Sequence, residues 1–144
     1  MSKYKIEEVA KQCGLTKRTL RYYEEIGLLF PAERSEGGYR LYTDKHIERL
    51  KQIMSARDVL GFSLQEIQEF ISISEQFDHQ RQIIRDIVDK QARLEKLSEV
   101  EETLLKQLSL IDQKLEKMNA IRRDIYQLFD QVVTAKQKLQ TDRE

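Results

Sequence analysis

Apolar residues recur at helical spacing along most of the chain, and strong helix breakers are confined to one end. All five glycines and the single proline lie within the first 62 residues. The rest of the chain contains neither residue type, so no strong breaker ends a helix there. The pattern predicts an N-terminal part that turns often and a C-terminal part of long helices.

The first part begins with two short amphipathic helices joined by a tight turn. In the segment KIEEVAKQCG, Ile6 and Val9 share one helical face, and Gly14 stands where a C-terminal cap belongs. The next helix begins with Thr16 as its N-cap and stops at Gly27. Two helices separated by CGLT form a helix-turn-helix pattern.

A small β-ribbon is predicted after the second helix. Pro31 cannot continue a helix and biases Phe30 towards an extended conformation. In AERSEGGYRLYT, the pair Gly37 and Gly38 supplies the positive φ angles that a tight hairpin turn demands. We interpret this segment as a wing whose return strand carries Tyr39, Arg40 and Tyr42.

Two more helices are predicted to follow the wing. We expect Thr43 to cap a helix that reaches about Leu60 and ends at Gly61. Ser63, followed three residues later by Glu66, is a capping box that opens the next helix. Helical spacing predicts that their inward faces contain Ile47, Leu50, Ile53 or Met54, and Leu64, Ile67, Phe70 and Ile71.

From about residue 79 to residue 118, apolar residues recur every seven positions, which indicates a coiled coil. The two charged seam positions are Lys90 and Glu101. If two copies run antiparallel and cross near residues 95 and 96, Lys90 of one chain meets Glu101 of the other. The alternative is that both charges reach solvent at a loose seam. The predicted dimerisation positions are Ile83, Ile87, Lys90, Leu94, Leu97, Glu101, Leu104 and Leu108.

Three parts are therefore predicted in a mainly α fold. A winged helix-turn-helix domain occupies residues 1–75, and an antiparallel coiled-coil dimerisation helix occupies 76–118. Asn119 is a candidate break, after which a short effector or packing helix within 119–144 ends near Leu139.

Charge is divided unevenly between the two ends of this neutral chain. Residues 1–62 carry 12 Lys and Arg against 9 Asp and Glu, whereas the remainder carries 13 against 16. This imbalance permits a local basic patch at the N-terminal end. It is too mild for a general binder of polyanions.

The segment KRTLRYYEEIGLL is a candidate DNA reader. Its N-terminal half places Lys17, Arg18 and Arg21 on the exposed side of the second helix, the part that such a motif presents to a major groove. Glu24 and Glu25 lie at the far end. A charged face that is merely solvated is the alternative for this stretch alone. The preceding turn, the wing and the dimerising helix together favour DNA binding.

Other classes of function find little support in the sequence. The lone Cys13 and the distant His46 and His79 form no recognisable metal-ligand set, so Cys13 is expected to be a small buried residue. No cofactor is predicted, and no constellation of catalytic residues indicates an enzyme. No apolar run approaches the roughly 20 residues that a bilayer requires, so we expect a cytoplasmic protein.

The run TKRTLRYYEEIGLLFPAERSEGGYRLYTDKHIERLKQI, followed by LGFSLQEI, resembles the MerR family of bacterial transcription regulators over about residues 4–75. The resemblance implies a homodimer that binds an inverted repeat in double-stranded promoter DNA. It also implies that an effector makes the dimer bend and untwist the DNA so that RNA polymerase can engage the promoter. The DNA contacts that it implies are Thr16, Lys17, Arg18, Arg21, Tyr22, Tyr23, Tyr39, Arg40 and Tyr42, with the first three as base readers.

The sequence departs from the family pattern at two places. Asp58 occupies a position where many members carry a basic residue, so the second phosphate contact either moves to Arg57 or is absent. The segment LEKMNAIRRD contains no Cys or His, which argues against metal sensing by thiolates and against an iron–sulfur cluster. Tyr126 and Phe129 are candidates for binding a small organic, cationic effector, with structural packing as the alternative.

Three functions stay open on the sequence. The first is a ligand-responsive transcription regulator, and the second is a constitutive repressor or architectural DNA-bending protein without an effector. The third is a coiled-coil adaptor with an incidental helix-turn-helix, which would show only salt-sensitive background binding to DNA.

Overall fold

The structure is a computed structural model that describes residues 2–142. The mainly α fold class with a small antiparallel sheet is confirmed. The contacts divide the chain into two compact units, with the boundary after Leu104. The elements are β1 (Lys3–Lys5), α1 (Ile6–Cys13), α2 (Lys17–Glu25), β2 (Glu33–Arg34), β3 (Arg40–Thr43), α3 (Asp44–Asp58), α4 (Leu64–Arg85) and α5 (Lys90–Asp142).

The sheet contains the predicted wing and one strand that the sequence did not predict. Its order is β1-β3-β2, and both pairings are antiparallel. Lys3 lies opposite Thr43, and Lys5 lies opposite Leu41. β1 was missed because three residues are too few for the alternation that identifies a strand. The additional strand makes β3 the central strand, so the base of the wing is paired on both sides.

The predicted helix ends in the first unit are confirmed by their hydrogen bonds. The Oγ1 of Thr16 accepts the backbone N–H of Thr19 at 3.1 Å. Gly14 and Gly61 both have a φ of 66°, the left-handed conformation that closes a helix C-terminus. The Oγ of Ser63 accepts the N–H of Glu66 at 3.2 Å, and the Glu66 carboxylate accepts the N–H of Ser63 at 2.9 Å.

The core of the first unit lies between α1, α2, β3, α3 and the first turns of α4. Most residues that helical spacing assigned to the inside are buried, and Cys13 is a buried free thiol, as expected. Burial raises the pKa of this thiol. Leu64 is an exception, because it is exposed at the first position of α4. The fully buried side chains include Val9, Leu20, Leu29, Tyr42, Leu50 and Ile53.

His46 connects the wing to the loop that follows α2. It is buried near the start of α3, and its Nδ1 accepts the backbone N–H of Thr43 at 3.0 Å. Its Nε2 therefore carries the proton and donates to the carbonyl of Phe30 at 3.2 Å. The ring also packs edge-on against Tyr42, with 5.2 Å between the centroids. A neutral imidazole with both nitrogens bonded holds this junction.

The predicted single helix across residues 79–118 is wrong, because the chain breaks at residues 86–89. Asp89 accepts the N–H of Ala92 at 2.9 Å and so caps the start of α5. The guanidinium of Arg93 donates to the carbonyl of Ile84 at 3.1 Å near the end of α4. These two side chains satisfy backbone groups on both sides of the break. Ile83 thus belongs to α4, and Ile87 lies in the connection.

The candidate break at Asn119 does not occur, so the C-terminal helix is continuous with the helix before it. α5 continues through this residue to Asp142, beyond the predicted end near Leu139. Asparagine in a helix costs less than about 1 kcal/mol relative to alanine, so one such residue does not end a long helix. The predicted boundaries after residues 75 and 118 fall inside α4 and α5, and the three-part division stays a prediction.

The seam positions on α5 face solvent in the single chain. In the first unit, the helix buries a different side, since Thr103 is only 2% exposed. Leu94, Leu97 and Leu104 are between 38% and 57% exposed. In the second unit, Leu108, Leu115 and Met118 are also about half exposed. An apolar stripe on α5 is therefore available to another surface.

We expect His46 to make the stability of the protein pH-dependent. The pKa of His46 is lowered, mainly by burial. The unfolded chain therefore binds a proton at a pH where the folded protein does not. The stabilisation is complete above the ordinary pKa of about 6.5 and is lost as the pH falls towards the folded value. Urea unfolding between about pH 7.5 and 5.5 should show this decline, and His46→Gln should flatten it.

His79 provides the matched control, because it is exposed on α4. His79→Gln should leave the pH dependence as it is in the natural protein. A decline that is equally steep in the His46→Gln variant would contradict the assignment.

Candidate nucleic-acid interface

α2 presents a cationic face because two of its other side chains anchor it. Leu20 and Tyr23 are buried, while Arg18, Arg21 and Tyr22 are exposed. Thr16 caps the helix and is itself exposed at its start. The predicted exposure of Lys17, Arg18 and Arg21 on this helix is confirmed. The N-terminal half of α2 therefore carries its positive charge outwards.

Within the described residues, the cationic side chains on this face form a solvent-exposed ion pair or none. The Nζ of Lys17 lies 3.2 Å from the Glu7 carboxylate, and both side chains are largely solvated. The pKa of Glu7 is lowered, first by a backbone hydrogen bond and then by Lys17. An exposed pair of this kind is weak because solvent screens it, so Lys17 can exchange it for a phosphate. Arg18 and Arg21 form no ion pair within residues 2–142.

The wing ends in a closely bonded turn that exposes Tyr39. The N–H of Ser35 donates to the carbonyl of Tyr39 at 2.8 Å, and the N–H of Gly38 donates to the carbonyl of Ser35 at 2.9 Å. Gly38 has a φ of 84°, whereas Gly37 does not adopt a positive φ, so one glycine of the pair supplies the predicted conformation. Arg34 donates to the carbonyl of Gly38 at 2.9 Å. These bonds order the tip, and the Tyr39 side chain is 51% exposed there.

Glu24 links α2 to the wing, a role that the sequence did not reveal. Its carboxylate accepts the Nε–H of Arg40 at 3.2 Å and the hydroxyl of Tyr42. The Glu24 side chain is 12% exposed, whereas its neighbour Glu25 is exposed. Charge-assisted hydrogen bonds in a partly buried site are stronger than bonds between neutral groups. The helix and the wing are thus held to each other through one carboxylate.

The predicted DNA contact by Tyr42 is wrong for this structure. Its side chain is 0% exposed, so it belongs to the core. Burial, followed by the hydrogen bond to Glu24, raises the pKa of Tyr42, which keeps the hydroxyl protonated as a donor. Tyr23 is also buried, which leaves little of its ring available to DNA. Alternation along β3 explains the difference between Tyr42 and the exposed Tyr39.

Arg57, near the end of α3, forms an ion pair with its neighbour Asp58. Its Nε and Nη2 donate to the two Asp58 oxygens at 2.7 and 3.1 Å. This pairing raises the pKa of Arg57 and lowers that of Asp58. The Arg57 side chain is still substantially exposed. A phosphate at this position would have to compete with the adjacent carboxylate.

The candidate effector residues lie in the second unit. The rings of Tyr126 and Phe129 are 6.0 Å apart and are 58% and 60% exposed. Within residues 2–142, no group of His, Cys, Asp and Glu side chains has the arrangement of a metal site. Among the same residues, no helix is long and apolar enough to cross a membrane.

Sequence reasoning found the exposed cations but missed the residues that position them. Glu24 bonds to partners 16 and 18 positions away, and no local pattern reports a contact at that separation. The sequence pattern distinguishes His46 only as one of two histidines that lie far apart in the chain. Its signal was its place three residues after the cap Thr43, where a side chain can reach back to the cap N–H.

The sequence matches two family descriptions that overlap within the first hundred residues. "MerR HTH family regulatory protein" matches residues 4–72, and "MerR, DNA binding" matches residues 47–99. The HTH-type transcriptional regulator YfmP of Bacillus subtilis (strain 168) is 46% identical over 118 residues, which are 82% of this chain and 84% of YfmP. The chain belongs to the MerR family. It is a DNA-binding transcriptional regulator.

Other similar proteins are consistent with this membership. The HTH-type transcriptional regulator CueR of Salmonella typhi is 42% identical over 110 residues, covering 76% of this regulator and 75% of CueR. A crystal structure of a candidate MerR family transcriptional regulator from Listeria monocytogenes aligns with a TM-score of 0.52 at 21% identity. That alignment covers 98% of this chain and 99% of the other, and it supports the fold alone.

Glu24→Ala should lower the free energy of unfolding by about 1–3 kcal/mol, because it leaves the Tyr42 hydroxyl buried without its acceptor. Chemical denaturation measures this loss. Glu25→Ala, an exposed change at the next position, should stay within about 0.5 kcal/mol of the natural protein. Equal effects of the two substitutions would show that Glu24 does not hold the wing.

Proposed function

We propose that two copies of this regulator bind an inverted repeat in promoter DNA, with each α2 in a major groove and each wing on the flanking phosphates. The observation that supports this proposal is the exposed cationic face of α2, held to the wing through Glu24. A helix and a wing with a fixed separation can contact a groove and its adjacent backbone at once.

Each exposed side chain has a proposed role. Thr16, Lys17 and Arg18, at the start of α2, read base edges, and Arg residues suit guanine through paired hydrogen bonds. Arg21 and Tyr22 contact the backbone one turn later. Tyr39 and Arg40 contact phosphate from the wing, since only the Nε of Arg40 is bonded to Glu24. Arg57 contributes a second phosphate contact when its pair with Asp58 opens.

The proposed dimer forms through the exposed apolar stripe of α5. Because Ile83 and Ile87 are not on this helix, the two copies of α5 overlap from Lys90 to Glu101, with Leu94 and Leu97 between them. Leu104 and Leu108 lie beyond this overlap, opposite residues 87 and 83 of the other chain. Lys90 and Glu101 are both exposed. In an antiparallel pair, Lys90 lies beside Glu101 of the other chain, and Leu94 lies beside Leu97.

Control of transcription would follow from deformation of the promoter. A dimer that bends and untwists the DNA changes how RNA polymerase meets its two recognition elements, and that energy depends on the spacer sequence. The proposed trigger is a small organic cation that stacks on Tyr126 and Phe129. The proposed site of action is the cytoplasm, where bacterial promoters lie.

Footprinting on the DNA upstream of the regulator's own gene tests this function directly. A symmetric protected site is expected, together with a change in transcription when the effector is added. A symmetric site with unchanged transcription across a panel of organic cations would favour a constitutive repressor. Binding without any sequence preference would contradict the proposal.

Arg21→Ala should weaken binding to all sequences alike, lower the salt slope by about 2 (about 1 for each protomer) and leave the oligomeric state unchanged. The reason is the loss of a backbone contact from the reading helix. Fluorescence anisotropy measures the affinity, and Lys138→Ala, an exposed change on α5, is the control. Full affinity in the Arg21→Ala variant would contradict the proposed orientation of α2.

Leu97→Glu should convert the dimer into monomers, because it puts a charge into the apolar seam beside Leu94 of the other chain. Gln113→Glu adds the same charge at an exposed position off the seam and should leave the dimer intact. Sedimentation equilibrium distinguishes the two states. An intact dimer in the Leu97→Glu variant would remove α5 as the interface.

A further inference from the structure

β1 brings a lysine to the wing from outside the helix-turn-helix and the hairpin. Lys5 lies opposite Leu41 on the central strand, and residues opposite each other in an antiparallel pair project from the same face. Tyr39 precedes Leu41 by two residues and therefore shares that face. The Nζ of Lys5 lies 5.3 Å from the centroid of the Tyr39 ring.

Lys5 differs from Lys3 and Arg40, two other cations of the sheet, in its charge balance. The Nζ of Lys3 lies 3.3 Å from the Glu33 carboxylate, and the Nε of Arg40 lies 3.2 Å from the Glu24 carboxylate. Within the part of the chain that the structure describes, Lys5 forms no ion pair with a carboxylate. Glu7 is near enough for the charge of Lys5 to lower its pKa slightly, but it does not form an ion pair with the Lys5 ammonium group.

We propose that Lys5 is a further contact to the DNA phosphate backbone, positioned by Tyr39. This inference rests on the proposed use of the wing as a backbone contact. The aromatic face attracts the ammonium group and restricts its flexible side chain, and the ammonium group keeps donors for a phosphate oxygen. The exposed Tyr39 hydroxyl and the Lys5 ammonium would then bind one stretch of backbone together.

A phosphate contact of this kind carries no base information. Lys5 should therefore strengthen binding to the protected site and to unrelated DNA by the same factor. It should also contribute to the salt dependence, since each neutralised phosphate adds about 0.9 to the slope of log affinity against log salt.

The experiment measures the binding of the full-length regulator to two duplexes of equal length over a range of NaCl concentrations. One duplex carries the footprinted site, and the other has an unrelated sequence. Lys5→Gln removes one contact from each protomer, so it should reduce the slope by about 1.8 and the affinity at about 0.1 M salt by roughly 25-fold on both duplexes. Lys5→Arg should restore both quantities. Lys3→Gln is the matched control and should change the slope less, because Glu33 already pairs with Lys3.

The dependence on Tyr39 separates a positioned lysine from a general charge. Tyr39→Leu should weaken binding, and Lys5→Gln should have a smaller effect in that background than in the natural protein. Circular dichroism verifies that each variant is folded. An unchanged salt slope in Lys5→Gln, alongside a reduced slope in Arg21→Ala, would overturn the inference about Lys5 alone. An unchanged slope in both variants would instead overturn the proposed interface.

Discussion

The bonds from Glu24 to Arg40 and Tyr42 are the constraint on which the arrangement of the DNA-binding unit depends. They join the end of α2 to the central strand of the sheet. Tyr42 then packs edge-on against His46, whose two ring nitrogens join α3 to the loop after α2. A partly buried carboxylate at the end of α2 thus fixes the cationic face of this helix relative to the wing. Its negative charge favours the interface by ordering it.

A second constraint acts on the long helix α5, which buries one side within its own unit and leaves another side exposed. α5 buries Thr103 within its own unit and keeps Leu94, Leu97 and Leu104 exposed. An exposed apolar stripe of this length is unusual for a protein that stays monomeric. The hydrogen bonds of Asp89 and Arg93 separate α5 from α4. Local hydrogen bonds therefore determine where α5 and its apolar stripe begin. The dimerisation proposed for this regulator uses the side of α5 that the fold leaves open.

Much of the first unit could be predicted because its signals are local. The caps Thr16 and Ser63 and the glycines at positive φ all act within a few residues of their position. The errors arose where a pattern continued across a boundary. Heptad spacing continues through residues 86–89, although Asp89 caps a new helix there. At Asn119 the reverse holds, because one asparagine does not end a long helix. The exposed cations of α2 were found from helical spacing, whereas the DNA contact by Tyr42 is implied by the family resemblance, which does not report the burial of a single side chain.

The sequence by itself determined the helix-turn-helix, the wing and the sign of the charge on α2. These follow from backbone propensities, caps and periodicity, which need no knowledge of distant residues. Only the tertiary structure decided that Glu24 binds the wing, that Tyr42 is buried, and that β1 places Lys5 beside Tyr39. Each of these contacts joins residues far apart in the chain, and such contacts form only when the whole unit packs.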